Sequence, residues 1–98
     1  MIISGMIQSF KDEDTAGLFQ ERKNRRWQRI KVVALRKLDM LESASVLRDL
    51  RIPPGNRLEV LSGDRRGQHS IRINDQYRIC FVWQDDGPHE VEIVDYHS

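Results

Sequence analysis

The sequence predicts an α+β domain: an N-terminal strand and two to three helices packed on a twisted, mainly antiparallel sheet of four to five strands. Three observations predict it. Apolar residues recur at helical spacing between residues 26 and 42. From residue 57 onward they alternate with polar ones instead. Between the two regimes stands "RIPPGNR", whose paired prolines and glycine cannot continue a helix.

The elements follow in chain order. Met6–Phe10 is short, apolar and β-leaning, and reads as a first strand; either Met1 or Met6 can be the native start, the second choice making residues 1–5 an upstream extension. "KDEDTAGLFQERKNRRW" carries its acids early and its bases late, which suits a helix dipole, with Asp12 or Asp14 as the cap. A second helix runs from Arg26 to Glu42. Ile30, Val33, Ala34, Leu38 and Leu41 form its apolar face, and Arg29, Lys31, Arg36, Lys37 and Asp39 occupy much of the remainder. "SASVLRDL" adds a third turn through Val46, Leu47 and Leu50. Strands follow at Arg57–Leu61, Gln68–Ile73, Tyr77–Trp83 and His89–Tyr96. The short links "SGDRRG", "NDQ" and "QDDGP" favour antiparallel neighbours. Helices cover one face of this sheet, and polar strand residues can converge on the other.

Composition fits one domain over residues 1–98 and narrows the classes of function. Apolar content of 39% and charged content of 32% suit a polar-surfaced globular chain. A net charge of only +1 means that attraction to nucleic acid requires local clustering. Such a cluster exists in "ERKNRRWQRIK", where Arg22, Lys23, Arg25, Arg26, Arg29 and Lys31 surround Trp27. Arg65 and Arg66 can extend it, and Trp27 reads as an anchor for the helix pair. The lone Cys80 excludes an internal disulfide and reads as a small buried hydrophobe in a reducing cytoplasm. No signal peptide or membrane span is expected. His69, His89 and His97 are scattered, so no metal site is expected.

Glu59, Arg72, Arg78 and His97 stand in the strands, with Asp95 and Tyr96 beside the last of them. A solvated sheet face would explain any one of these. Together they resemble a known set. "NRLEVLSGDRRGQHSIRINDQYRICFVW", closing in "VEIVDYH", resembles the RelE/ParE toxin superfamily, and within it the HigB-type toxins of toxin–antitoxin pairs, especially the branch containing GraT. The likeness runs from "MIQSF" through "LRDLRIPPGNRLE" to "DYH".

That resemblance implies an endoribonuclease, without a cofactor, that cuts messenger RNA on the ribosome and is neutralised by a HigA-type helix-turn-helix antitoxin. Operator DNA would be bound through the antitoxin. The HigB pattern carries over onto Asp95, Tyr96 and His97, and its strand arginine onto Arg78. HigB proteins typically have a histidine where this chain has Glu59, and often a lysine where it has Ser62. YoeB-type toxins have a glutamate at the position of Glu59, together with counterparts of Arg78 and His97.

The chemistry is consistent with that assignment. A carboxylate can take the 2′-hydroxyl proton, an arginine fork can hold phosphate oxygens, and a histidine can protonate the leaving 5′-oxygen. Arg72, Arg65, Arg66, Arg25, Arg26 and Arg29 are the expected RNA contacts. Alternation places Asp95 and His97 on one face of the last strand and Tyr96 on the other, so a regular strand cannot aim all three into one cleft. Two further readings share the fold: a ParE-like inhibitor that binds DNA gyrase, and a catalytically weak protein that occupies the ribosome. An acid–base set favours the nuclease.

Overall fold

In the computed structural model, which describes residues 6–96, the second half of the chain is a meander. Strands β1 (Glu59–Val60), β2 (His69–Arg72), β3 (Tyr77–Gln84) and β4 (Gly87–Asp95) lie in sequence order, every neighbouring pair antiparallel. Two helices precede them, α1 (Glu13–Glu21) and α2 (Lys31–Ser43). The α+β class is as the sequence predicts.

One apolar cluster joins the helices to one face of the sheet. Leu18, Ala34, Leu38 and Leu41 from the helices meet Ile71, Ile79, Phe81, Val91 and Ile93 from the strands. Trp27 is buried in the same cluster, edge-on to Tyr77, and so anchors the helix junction as expected. Asp12 caps α1: its carboxylate accepts the Thr15 backbone N–H at 2.9 Å and the Thr15 hydroxyl at 2.7 Å. Thr15 Oγ1 in turn accepts the Ile93 backbone N–H at 3.2 Å, tying the helix to β4.

Four sequence expectations need correction. Met6–Phe10 is not a strand of the sheet. Phe10 makes a single parallel bridge to Val91, and Ile7 N–H goes to the Glu42 carboxylate instead of to a strand neighbour. A register shift in β4, with Glu90 at φ 50°, interrupts the ladder there, and Ser9 supplies acceptors to the Glu90 and Val91 N–H groups.

The basic segment is not the end of a helix either. Arg22 is left-handed at φ 64°, closing α1 before the bases begin. Its fork grips Asp39 of α2 at 3.0 and 2.8 Å, while the Asn24 side chain captures the Arg26 N–H. After a 3₁₀ turn (Gln28–Ile30), α2 starts at Lys31, not at Arg26. The third correction is Val46, which is exposed and not packed, although Leu50 is buried as expected.

The fourth is Lys37. It lies on the buried side of α2, 8% exposed, with Nζ donating to Asn56 Oδ1 at 2.6 Å.

Candidate active site

Strand register decides which side chains share a face. Glu59 pairs with Ser70, Ser70 with Cys80, and Cys80 with Glu92. The neighbouring row is Arg72, Arg78 and Val94. Residues directly opposite one another project from the same side. Ile71, Ile79 and Ile93 alternate with these and enter the core, so both polar rows lie on the face away from the helices.

Arg78 is the centre of that face. It is 8% exposed, an unusual degree of burial for a guanidinium, and the sheet provides for it. Its Nε donates to Ser70 Oγ at 2.7 Å, and one Nη donates to the Arg57 carbonyl at 2.6 Å. That same nitrogen lies 3.4 Å from the Ser70 carbonyl and 4.0 Å from a Glu59 carboxylate oxygen. The other Nη makes no hydrogen bond among the described residues. Glu59 is about half exposed at the sheet edge, near enough to Arg78 to feel its charge and open enough to reach a substrate. The Tyr96 ring centroid lies 5.9 Å from the Arg78 guanidinium carbon, on the same side of the sheet.

The remaining expected site residues divide. Asp95 pairs with Tyr77 across β3 and β4, on the opposite face from Arg78, and accepts from Gln76 Nε2 at 3.1 Å. Alternation thus separates Asp95 from Tyr96, as the sequence suggests. His97 lies outside the described residues. Arg72 is tied to Asp75. Arg65, on the 3₁₀ turn Gly63–Arg65, folds back to Glu92 at 2.8 Å and to Gln68 at 3.1 Å. Lys11 approaches the same Glu92 carboxylate at 3.7 Å. Below this strap Cys80 is fully buried, as expected, and its burial pushes the thiol pKa upward.

Arg66, Arg25, Arg26 and Arg29 are exposed. Arg26 lies 4.6 Å above the Trp27 ring and 3.4 Å from Asp14. Arg25 and Arg29 make no ion pair within 4.0 Å among the described residues. Two surface depressions lie along this basic segment. One of about 710 Å³ is lined by Lys23, Asn24, Arg25 and their neighbours, and one of about 250 Å³ by Arg26, Trp27, Arg29, Asn74 and Tyr77 among others. His89 pairs with Asp86 at the β3–β4 turn, and His69 stacks on Phe81 on the core side. Among the described residues no group of three or more His, Cys, Asp and Glu gathers in a way that could hold a metal ion. None of their helices is long and apolar enough to cross a membrane.

Sequence reading missed Ser70 and the Arg57 carbonyl, the two groups that fix Arg78. Ser70 had a signal, since it shares the polar parity of Arg72. A backbone carbonyl has none.

A family model described as the RelE-like toxin of the type II toxin–antitoxin system HigB matches residues 8–97. The chain belongs to the HigB-like toxins. Toxin HigB-1 of Vibrio cholerae serotype O1 is 43% identical over 82 residues, covering 82% of this chain and 86% of that one. A Haemophilus influenzae protein described as uncharacterized is 40% identical over 66 residues, covering 67% of this chain and 64% of its own. As a type II toxin, this HigB-like protein has an antitoxin for a partner.

Proposed function

We propose that this HigB-like toxin is a cytoplasmic endoribonuclease that cuts translated messenger RNA in the ribosome and so blocks translation. Glu59 takes the proton from a 2′-hydroxyl, and the freed oxygen attacks the adjacent phosphorus. A 2′,3′-cyclic phosphate forms as the bond to the 5′-oxygen breaks. Arg78 neutralises the charge that builds on the non-bridging oxygens. His97 protonates the departing 5′-oxygen, and Tyr96 stacks on a base beside the cut. Base, cation and acid are all side chains, so the reaction uses no cofactor. Arg25, Arg26, Arg29 and Arg66 meet ribosomal RNA through its phosphates. A HigA-type helix-turn-helix antitoxin is the partner that neutralises the toxin and binds operator DNA.

The observation carrying this reading is the setting of Arg78: a guanidinium locked by Ser70 and Arg57, one donor arm open, with a carboxylate 4.0 Å away. Such a preorganised donor is worth most when charge develops in front of it. A protein that only occupied gyrase would gain nothing from a carboxylate so close.

Primer extension on a reporter message after brief expression tests the proposal, with a gyrase supercoiling assay run in parallel. New cuts within translated frames are expected. Intact message together with inhibited supercoiling would replace the proposal with the gyrase-binding reading. Naked RNA should be a poor substrate, because the ribosome supplies the in-line geometry, worth up to roughly 7–11 kcal/mol when alignment is complete.

A further inference from the structure

Two cations are buried among the described residues, Lys37 on α2 and Arg78 on β3. Two hydrogen bonds and the peptide link between Asn56 and Arg57 join them. Lys37 Nζ donates to Asn56 Oδ1 at 2.6 Å. Asn56 is 0% exposed, and its Nδ2 donates to the Leu50 carbonyl at 3.1 Å and the Ile52 carbonyl at 3.4 Å. Its backbone N–H closes onto the Pro53 carbonyl at 2.9 Å. The next residue, Arg57, holds φ 46° and ψ 56°, a left-handed conformation that side-chain-bearing residues adopt only where the surroundings dictate it. The Arg57 carbonyl then accepts the Arg78 fork at 2.6 Å.

From this we infer that Lys37 and Asn56 are positioning residues, which hold the Asn56–Arg57 turn so that the Arg57 carbonyl aims Arg78. Lys37 has no ion-pair partner within 4.0 Å among the described residues. Burial lowers its pKa, and the neighbouring charges of Arg36 and Arg72 lower it further. A methionine there would pack against the core without that cost. What lysine adds is a directional donor for the one acceptor of Asn56 that faces it. The amide is thereby held at both ends, Oδ1 by the helix and Nδ2 by the loop, and cannot turn without breaking a buried bond. Rotation of the turn would swing the Arg57 carbonyl off the guanidinium, leaving Ser70 to hold the fork alone. The pair thus reaches from the helical layer around the sheet edge to the polar face. The consequence for cleavage rests on the proposed nuclease function; the effect on Arg78 does not.

The test is the signal of the Arg78 side-chain Nη–H that donates to the Arg57 carbonyl, in ¹⁵N-labelled protein, identified by its absence in Arg78→Lys. In Lys37→Met its exchange with solvent should quicken at least tenfold, while the backbone amides of Ile79 and Phe81 keep their protection. Single-turnover cleavage on ribosomes should fall about tenfold with ribosome affinity unchanged, the pattern of a misaimed transition-state donor. Lys37→Arg, which still presents a donor, should restore slow exchange. Unaltered Arg78 exchange in Lys37→Met would overturn the inference, whatever the activity. Loss of Ile79 and Phe81 protection in both Lys37→Met and Lys37→Gln would also overturn it, because Lys37 would then support the fold as a whole. If wild-type protein cleaves nothing but the exchange effect is present, the nuclease reading fails and the positioning role stands.

Discussion

Arg78 and the pair Arg25 and Arg29 carry the same charged group in opposite settings. Arg78 sits on the central strands, nearly buried, with its fork fixed by a serine hydroxyl and a backbone carbonyl. Arg25 and Arg29 stand in solvent on the linker between α1 and α2 with no ion pair holding them. A fixed cation suits a target whose geometry is set to a fraction of an ångström, such as a phosphorane-like transition state. Mobile cations suit a polyanion, where many weak contacts add up and none must be exact in place. The two sets should therefore fail differently: one in rate, the other in affinity and salt dependence.

The largest expected effect is at the fixed group. Arg78→Ala should slow single-turnover cleavage ~10²–10³-fold at saturating ribosome, with the far-ultraviolet circular dichroism of the native protein retained. An equal loss of rate in Arg25→Ala/Arg29→Ala would erase the distinction between the sets. Glu59→Gln should follow at about 10²-fold in single-turnover rate, the lower end for a general base. An unchanged rate would move the base away from Glu59. Arg25→Ala/Arg29→Ala should leave the saturated rate intact and weaken ribosome binding roughly tenfold. The slope of log affinity against log salt should shrink by about one for each phosphate contact removed. An unchanged slope would take both residues out of the interface.

The smallest effect concerns the other face of the sheet. His69 stacks on Phe81, its Nδ1 has no partner among the described residues, and burial lowers its pKa below the usual 6.5. The unfolded chain then binds the proton more readily than the folded one. Stability should fall as pH drops below about 6.5 and level off, for this group, once the lowered folded pKa is passed. Urea midpoints measured from pH 7.5 to 5 should show that slope, and His69→Leu should remove it without altering cleavage on ribosomes at pH 7.5.

Much of this was legible in the sequence, for reasons particular residues make plain. The period-two runs place all four strands within a few residues, and alternation at "VDY" separates Asp95 from Tyr96. Arg78 and Glu59 stand out as charges inside those runs. Lys37 was not legible. Helical periodicity assigns a lysine to solvent, and only Asn56, brought back from nineteen residues away, makes that position fit for an amine. The early end of α1 was hidden for a similar reason: Arg22 turns left-handed and grips Asp39 of α2, a contact that no local pattern announces. Residues 6–10 look like a strand because they are apolar, yet the ladder they would join is broken at Glu90.

The two-residue edge strand β1 has a bearing on how this site can vary over time. Both of its residues are exposed, so neither contributes much to the core. Exchange of a side chain at such a position usually changes stability by no more than about 0.5 kcal/mol. The resemblance to HigB toxins implies a histidine where this chain carries Glu59. At that spot an imidazole and a carboxylate are interchangeable as far as folding is concerned, while they shift the working pH of any base placed there. Arg78 enjoys no such freedom, since its burial commits Ser70 and Arg57 to it. The side chain at the rim of the sheet can thus change while Arg78 stays locked, so under the proposed function Glu59→His is the first substitution to make when the pH response is to be moved.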